Sequence, residues 1–529
     1  MKISGNGELT FKPYIVQSGR GPHISEFVYA SDEFGDAFHS NIILNNKEIT
    51  ISDIEGRRKF AINVRWNVEG YGNLYLKADN AGMFYELPKT GNLKLNLNYE
   101  LARSRSARNQ RRIKSFSLNW KPSNELNLLN NIAKTILNDA SRSRDEEKKS
   151  KLAQASLKYS LLVSDMVELE LARFNIGRNG IRNDFFTGCD SRGYFQMERP
   201  KLFMERFTEL FDYSTITHYL IGDHINFEQE EGNKKFTERD KLVKELRKKN
   251  ITVEGRPLFW AHSWVTPDWL KKKNYSELLK YVERHVKEVV GHYKDEIQVW
   301  EVVNEIHDWA NEVELNHGQT IELTKLACEV ARYTNPNVRL LINNCCPFAD
   351  YVQGGKWGDR KAKFLQRTPH QFIKQIIEAG VDFDIIGLQV YFTFRPPSDA
   401  ILNIESFKEF GKKVHLAEVG APSSGLTKEF VSKDTSDYSL HPYEWHRHWD
   451  EELQADWLEY IFSYAYSESF IEAANWYDFV DPNSYLKCGG LLRSPKGEKK
   501  AAVDRLLKLK SEWNKLPVRN KGIKKLRGR

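Results

Sequence analysis

What most constrains the fold of this chain is an alternation. Eight short apolar runs, at residues 169–176, 213–221, 256–262, 298–305, 338–344, 383–392, 413–420 and 473–481, are separated by longer stretches of helical pattern. Runs of four to eight residues rich in Val, Ile, Leu and aromatics read as strands buried on both faces. The stretches between them, for example 275–290, 321–333 and 369–379, return an apolar residue every three or four positions, as covering helices do. Strand and helix in strict succession require a parallel sheet, and eight such repeats imply closure into a TIM (β/α)8 barrel. An open, doubly wound sheet is the alternative. It is weakened because no Gly-x-Gly-x-x-Gly turn follows the first run. A further helix near 501–516 closes the barrel.

Two regions precede it. Residues 1–122 read as β-rich and sandwich-like: Leu74-Tyr75-Leu76-Lys77-Ala78 and Leu93-Lys94-Leu95-Asn96-Leu97-Asn98-Tyr99 alternate with period two, and Asp79-Asn80-Ala81-Gly82 supplies turn chemistry. This region is either a carbohydrate-binding module or a structural cap on the barrel. Residues 123–170 form a helical bridge, with Leu126, Leu129, Ile132, Ile136, Leu157, Leu161 and Leu169 at helical spacing and a solvated charge run at 141–149. The barrel then occupies 171–512, and 513–529 is a basic tail.

Composition narrows the class. The formal charge is +7, with much of the excess in the tail, and no nucleic-acid-binding motif accompanies it. A basic terminus of this kind reads as a solvated end rather than a nucleic-acid arm. Five cysteines without regular spacing argue against a disulfide framework. No Cys/His cluster at ligand spacing implies a metal, and no cofactor is expected. No run reaches membrane-spanning length. The first residues lack the apolar core of a secretion signal, so the expected location is the cytoplasm, or outside the cell if a leader lies beyond this numbering. The 12% of aromatic residues suits either a large core or surfaces on which sugar rings or bases stack.

The chemistry concentrates at two strand ends. Val299-Trp300-Glu301-Val302-Val303-Asn304-Glu305 is an apolar run that ends on an amide and a carboxylate. Val414-His415-Leu416-Ala417-Glu418-Val419-Gly420 ends in a similar way. In a barrel, the C-terminal ends of the strands face the mouth where reactions occur. Glu305 would close strand four and Glu418 strand seven. Two carboxylates across a cleft are the equipment for cleaving a glycosidic bond. A gap of about 5–5.5 Å gives retention of configuration and about 6.5–9.5 Å inversion. The plain alternative for Asn304-Glu305 alone is a helix cap followed by a first-turn acid.

These segments resemble glycoside hydrolase family 10, the retaining β-1,4-xylanases, of a divergent bacterial type. Trp300 to Glu305 looks like the family's acid/base strand, and Val414 to Ser423 its nucleophile strand. Gly255-Arg256-Pro257-Leu258-Phe259-Trp260 with Thr266-Pro267-Asp268-Trp269 resembles the third strand, Asp384 to Gln389 the sixth, and Trp476-Tyr477-Asp478-Phe479 with Gly489 to Arg493 the eighth. The resemblance implies an enzyme acting on a polysaccharide or oligosaccharide. Glu305 would be proton donor and then base, and Glu418 the nucleophile. Asn304 would bind the sugar 2-hydroxyl, Gln389 and Trp476 would line the subsite of the attacked sugar, and Trp260 would form a wall, with plain core packing as the alternative for Trp260 and Trp476. The chain departs from the family at several positions. Thr217 and His218 stand where the family has Glu-Asn, Ile221 where it has Lys, Arg256 where it has His, and Tyr391 where it has His. His218 and Tyr391 thus occupy substrate-binding positions, and His262 lies in an insertion where it either supplies a sugar contact or is a buried core histidine. The donor-side grip is rebuilt, so a β-glycosidase for a non-xylan sugar and a glycan-binding barrel without catalysis remain as alternatives. His307, Asp308 and Trp309 follow the acid and would either shape the leaving-group side or be ordinary residues of a helix's first turn. His441, Trp445, His446, His448 and Trp449 are expected to roof the cleft.

Overall fold

The computed structural model describes residues 7–14, 28–45, 48–307, 309–357, 360–391, 395–424 and 444–518. Its centre is a parallel sheet ordered so that each strand pairs with two neighbours. The barrel strands, one to eight, are Phe186–Asp190, Tyr213–Thr217, Thr252–Arg256, Val299–Asn304, Arg339–Asn344, Ile385–Val390, Lys413–Val419 and Ile471–Trp476. Strand eight pairs with strand one, and strand three with both two and four, so the ring is closed and no open edge remains. The open doubly wound sheet is thereby excluded. Leu506 and Leu509 of the last helix, Ala501–Trp513, are buried in the same core as the barrel helices.

The first strand corrects the sequence reading. Residues 169–176 are not a strand but lie inside a 34-residue helix, Glu146–Asn179. Its buried positions Leu157, Leu161, Ser164, Val167, Leu171 and Asn175 recur at three- and four-residue steps, so the apolar run is about two turns of a helical stripe. Strand one is Phe186-Thr187-Gly188-Cys189-Asp190, too polar to stand out. Gly188 is required there, because a Cβ would lie 1.9 Å from Asn475 Oδ1 on strand eight.

A second correction concerns residues 93–122. The N-terminal strands end with Asn92–Asn96, and a helix runs from Leu97 to Phe116. The Asn96 side chain accepts from Tyr99 N and caps that helix, which turns the alternating pattern at its midpoint. Two four-stranded sheets precede it. Strand Glu8–Lys12 pairs parallel with Asn92–Asn96 and antiparallel with Glu48–Asp53, while Ala61–Val68 pairs antiparallel with Gly72–Ala78. Helices Leu97–Phe116 and Glu146–Asn179 then carry buried ion pairs to the barrel. Arg105 is bidentate on Asp399 at 2.7 and 2.6 Å, and Arg112 spans Glu168 and Glu405. Among the described residues no helix is long and apolar enough to cross a membrane.

The barrel interior is unusually polar. Glu254, Arg256, Glu301, Asn343, His415 and Asn475 are all buried. Tyr213 donates to Glu254 at 2.6 Å, and Asn343 donates to Glu301 at 3.0 Å. Buried charge is costly unless it is paired, so this interior marks the part of the molecule that packing alone does not account for.

Candidate active site

Strand four ends at Asn304, and Glu305 takes a left-handed backbone, φ +54°. A carboxylate in that conformation leaves the strand direction and turns over the mouth; such strain is held only where the surroundings fix it. The Glu305 N–H donates to Asn343 O at 3.0 Å. Its carboxyl accepts from Gln389 Nε2 at 2.8 Å and from Trp260 Nε1 at 3.0 Å. Burial first, and then the nearby Glu418 charge, raise its pKa from 4.5 to about 7; the two donors work against that rise.

Glu418 sits on strand seven, opposite Gln389 in the ladder. Its surroundings differ from those of Glu305 in kind. Arg256, a fully buried guanidinium on strand three, donates to its Oε1. Asn343 donates to the same oxygen at 3.3 Å, and Tyr391 OH donates to Oε2 at 3.1 Å. Beneath, Glu301 Oε2 lies 3.7 Å from Arg256 Nε, and burial holds the Glu301 carboxyl well above its usual range. One carboxylate thus rests on a cation and the other on neutral donors.

Both carboxylates line one cavity of about 310 Å³ at the barrel mouth. Asn304, Gln389, Tyr391, Trp260 and His262 line it as well. Gln389 Nε2 lies 3.4 Å from Asn304 Oδ1 and so links the amide to the acid. The His262 Nδ1 accepts from Trp264 N at 3.2 Å, its ring lies 5.0 Å from Trp260, and burial lowers its pKa to about 4. It is a neutral wall.

Two expected contacts are not in the cleft. His218 is 2% exposed and packs among Phe227, Tyr293 and Trp300, with Nδ1 3.0 Å from Ile216 O. Trp476 is fully buried, packs on Trp457 and donates to Gly489 O at 2.9 Å. The cause is parity: side chains alternate across a strand, and the next residues, Tyr219 and Tyr477, face the cavity instead. Of the segment expected to roof the cleft, His441 lies outside the described residues. Trp445 donates to Asp165 at 3.0 Å and His446 lies 3.3 Å from Tyr71 OH, so this part docks on the long helix and the N-terminal sheets. His307 is buried with Nε2 3.8 Å from Cys345 Sγ, Trp309 lines the cleft, and Asp308 is outside the described residues.

Arg192, Tyr219, Tyr477 and Tyr485 are lining residues that the sequence did not single out. Tyr477 carried a signal, being adjacent to Trp476 in a family-like motif. Arg192 carried none, since strand one was misplaced. Among the described residues no three His, Cys, Asp or Glu side chains gather as a metal ion would require.

A closed parallel barrel whose C-terminal mouth presents two unequal carboxylates in one cleft has the architecture of a barrel glycoside hydrolase. Residues 213–507 match the model of glycosyl hydrolase family 10, and the chain belongs to that family. Endo-1,4-beta-xylanase B of Thermotoga neapolitana is 28% identical over 265 residues, 48% of this chain and 69% of that one. The beta-1,4-xylanase of Dictyoglomus thermophilum is 28% identical over 191 residues, 35% of this chain and half of its own length. The crystal structure of xylanase 10B from Thermotoga petrophila superposes with a TM-score of 0.46 at 20% identity, covering 64% of this chain and 97% of that one.

Proposed function

We propose that this chain hydrolyses a β-1,4-linked glycan, xylan or a related polysaccharide, with retention of configuration. The observation that carries the reading is the unequal environment of the two carboxylates: Glu418 against the Arg256 guanidinium, and Glu305 with a pKa of about 7. In the first step Glu418 attacks the anomeric carbon. The bond to the leaving oxygen breaks, and Glu305 gives that oxygen its proton. The product is a glycosyl ester on Glu418. In the second step the now ionised Glu305 takes a proton from water, whose oxygen attacks the same carbon and frees Glu418. Asn304 bonds the 2-hydroxyl of the attacked sugar, a contact that strengthens as positive charge develops on the ring. Tyr391 and Arg256 hold Glu418 in place for attack.

The names of the relatives support xylan. The rewritten strand two supports a related but different sugar. Thr217 donates to Asp223 at 2.8 Å and His218 packs in the core, so neither grips a substrate. A site without the hydrogen-bond partners for one sugar discriminates against it. The N-terminal sheets act as a cap, supported by the mutual bonds of Ser40 and Gln353 and by Tyr29 and Tyr75 packing with Ala349 and Val352. Proton NMR of the first product released from a β-linked oligosaccharide tests the mechanism. The β-anomer is expected, and an α-anomer as first product refutes it.

A further inference from the structure

Recognition of the sugar on the non-reducing side has to come from residues other than those of strand two. Strand one pairs directly with strand two, and the loop after it brings Arg192 into the cleft. Among the described residues that line the cleft, Arg192 is the one permanent cation, since His262 is neutral. Its position is built. Asp190 Oδ1 accepts both the Arg192 backbone N–H and Nε at 2.9 Å. The guanidinium lies 4.4 Å over the Tyr477 ring, whose hydroxyl lies 3.2 Å from Tyr219 OH. The two terminal nitrogens make no hydrogen bond among the described residues, and one of them lies 3.9 Å from Asp478 Oδ1. That carboxyl already accepts from Tyr485 N at 2.7 Å and Leu486 N at 3.0 Å. Asp190 Oδ2 is likewise engaged, by Thr215 Oγ1 at 3.2 Å.

The remaining fork has only donors to offer. A sugar hydroxyl both gives and accepts, and is best served by mixed partners. A carboxylate only accepts, and two parallel N–H groups match its two oxygens. Arginine is selective for that planar geometry where lysine is not. Stacking on Tyr477 restricts the guanidinium, so less freedom is lost on binding.

We propose that Arg192 recognises a carboxylate on the glycone, so that the sugar held on the non-reducing side of this cleft is acidic, either a uronic acid in the backbone or a backbone sugar bearing a uronosyl branch. This rests on the hydrolase reading above and names the substrate class within it. The test compares kcat/KM of the full chain on three β-glycosides: a neutral xylobioside, a backbone uronide, and a xylo-oligosaccharide with a glucuronosyl branch at its non-reducing end. At least one acidic substrate is expected to exceed the neutral one tenfold, and the better of the two identifies where the carboxylate lies. Arg192→Gln is expected to lower that acidic-to-neutral ratio at least tenfold, and Arg192→Lys to restore only part of it. A neutral preference in the wild type, or an unchanged ratio in Arg192→Gln, overturns the proposal. Titration of the acidic oligosaccharide into Glu305→Gln by calorimetry separates the two readings. Tight binding lost with Arg192→Gln supports the carboxylate site even where turnover is nil, whereas absence of binding overturns it whatever the turnover.

Discussion

Replacing Glu305 by Gln should remove the general acid and, above neutral pH, make the protein more stable. Glu305 is buried and its carboxyl titrates at about 7 instead of 4.5. The folded state therefore keeps a proton that the unfolded chain has already released between those two values. Where the folded state binds more protons, stability falls as pH rises. The window runs from 4.5 to about 7, and a shift of this size corresponds to about 3 kcal/mol at 1.36 kcal/mol per unit. Gln cannot ionise and escapes that loss. One of its amide groups will face a donor, Gln389 Nε2 or Trp260 Nε1, at a cost of about 1–3 kcal/mol. That cost does not depend on pH, so the informative quantity is the difference between variant and wild type across the window. Denaturant unfolding at half-unit steps from pH 4 to 8.5 measures it. The difference should move in favour of Glu305→Gln by about 3 kcal/mol and level off above pH 7.5. A flat difference, or one that falls with pH, would refute the claim that Glu305 is held protonated by its surroundings.

The same geometry sets other outcomes. The basic limb of kcat/KM should lie near pH 7, and Gln389→Ala should move it upward, because Gln389 stabilises the ionised form; a pH-rate profile reads both. Arg256→Met leaves Glu418 buried without its cation, a loss of about 3–5 kcal/mol that should lower kcat at least a hundredfold, read by steady-state kinetics. Glu418→Ala should abolish turnover, whereas Glu305→Ala should retain activity only on aryl glycosides whose leaving group needs no proton, measured by release of a nitrophenol. Glu228 is held at about 2 by His285, Gly232 N and Lys234, so its stabilisation is present above pH 4.5 and lost as pH falls toward 2. Glu228→Gln should flatten acid unfolding over that window, followed by circular dichroism.

Six of the eight barrel strands could be read from the sequence, most clearly those that are apolar along most of their length; the run expected at 256–262 meets strand three, Thr252–Arg256, only at Arg256, because Thr252-Val253-Glu254-Gly255 is too polar to stand out. Val299 to Asn304 and Lys413 to Val419 stand out in this way and carry the two carboxylates at known ends. Strand one could not be read. Phe186–Asp190 pairs through a glycine that admits Asn475, and its five residues offer no apolar run. The helix that precedes it supplied a false one. The end of the N-terminal strands was hidden for a related reason: Leu93 to Tyr99 alternates on both sides of the Asn96 cap.

The sequence alone therefore determined the barrel and the two strand ends that bring Glu305 and Glu418 to one cleft, since local pattern and family-like motifs are properties of contiguous residues. It did not determine which neighbours face the cleft. His218 against Tyr219 and Trp476 against Tyr477 differ by one position, and one position reverses the face of a strand. Nor did it reveal that Arg256 belongs to Glu418, 162 residues away. That contact, and with it the difference in surroundings between the two carboxylates, exists only because closure of the barrel brings strands three and seven across one interior.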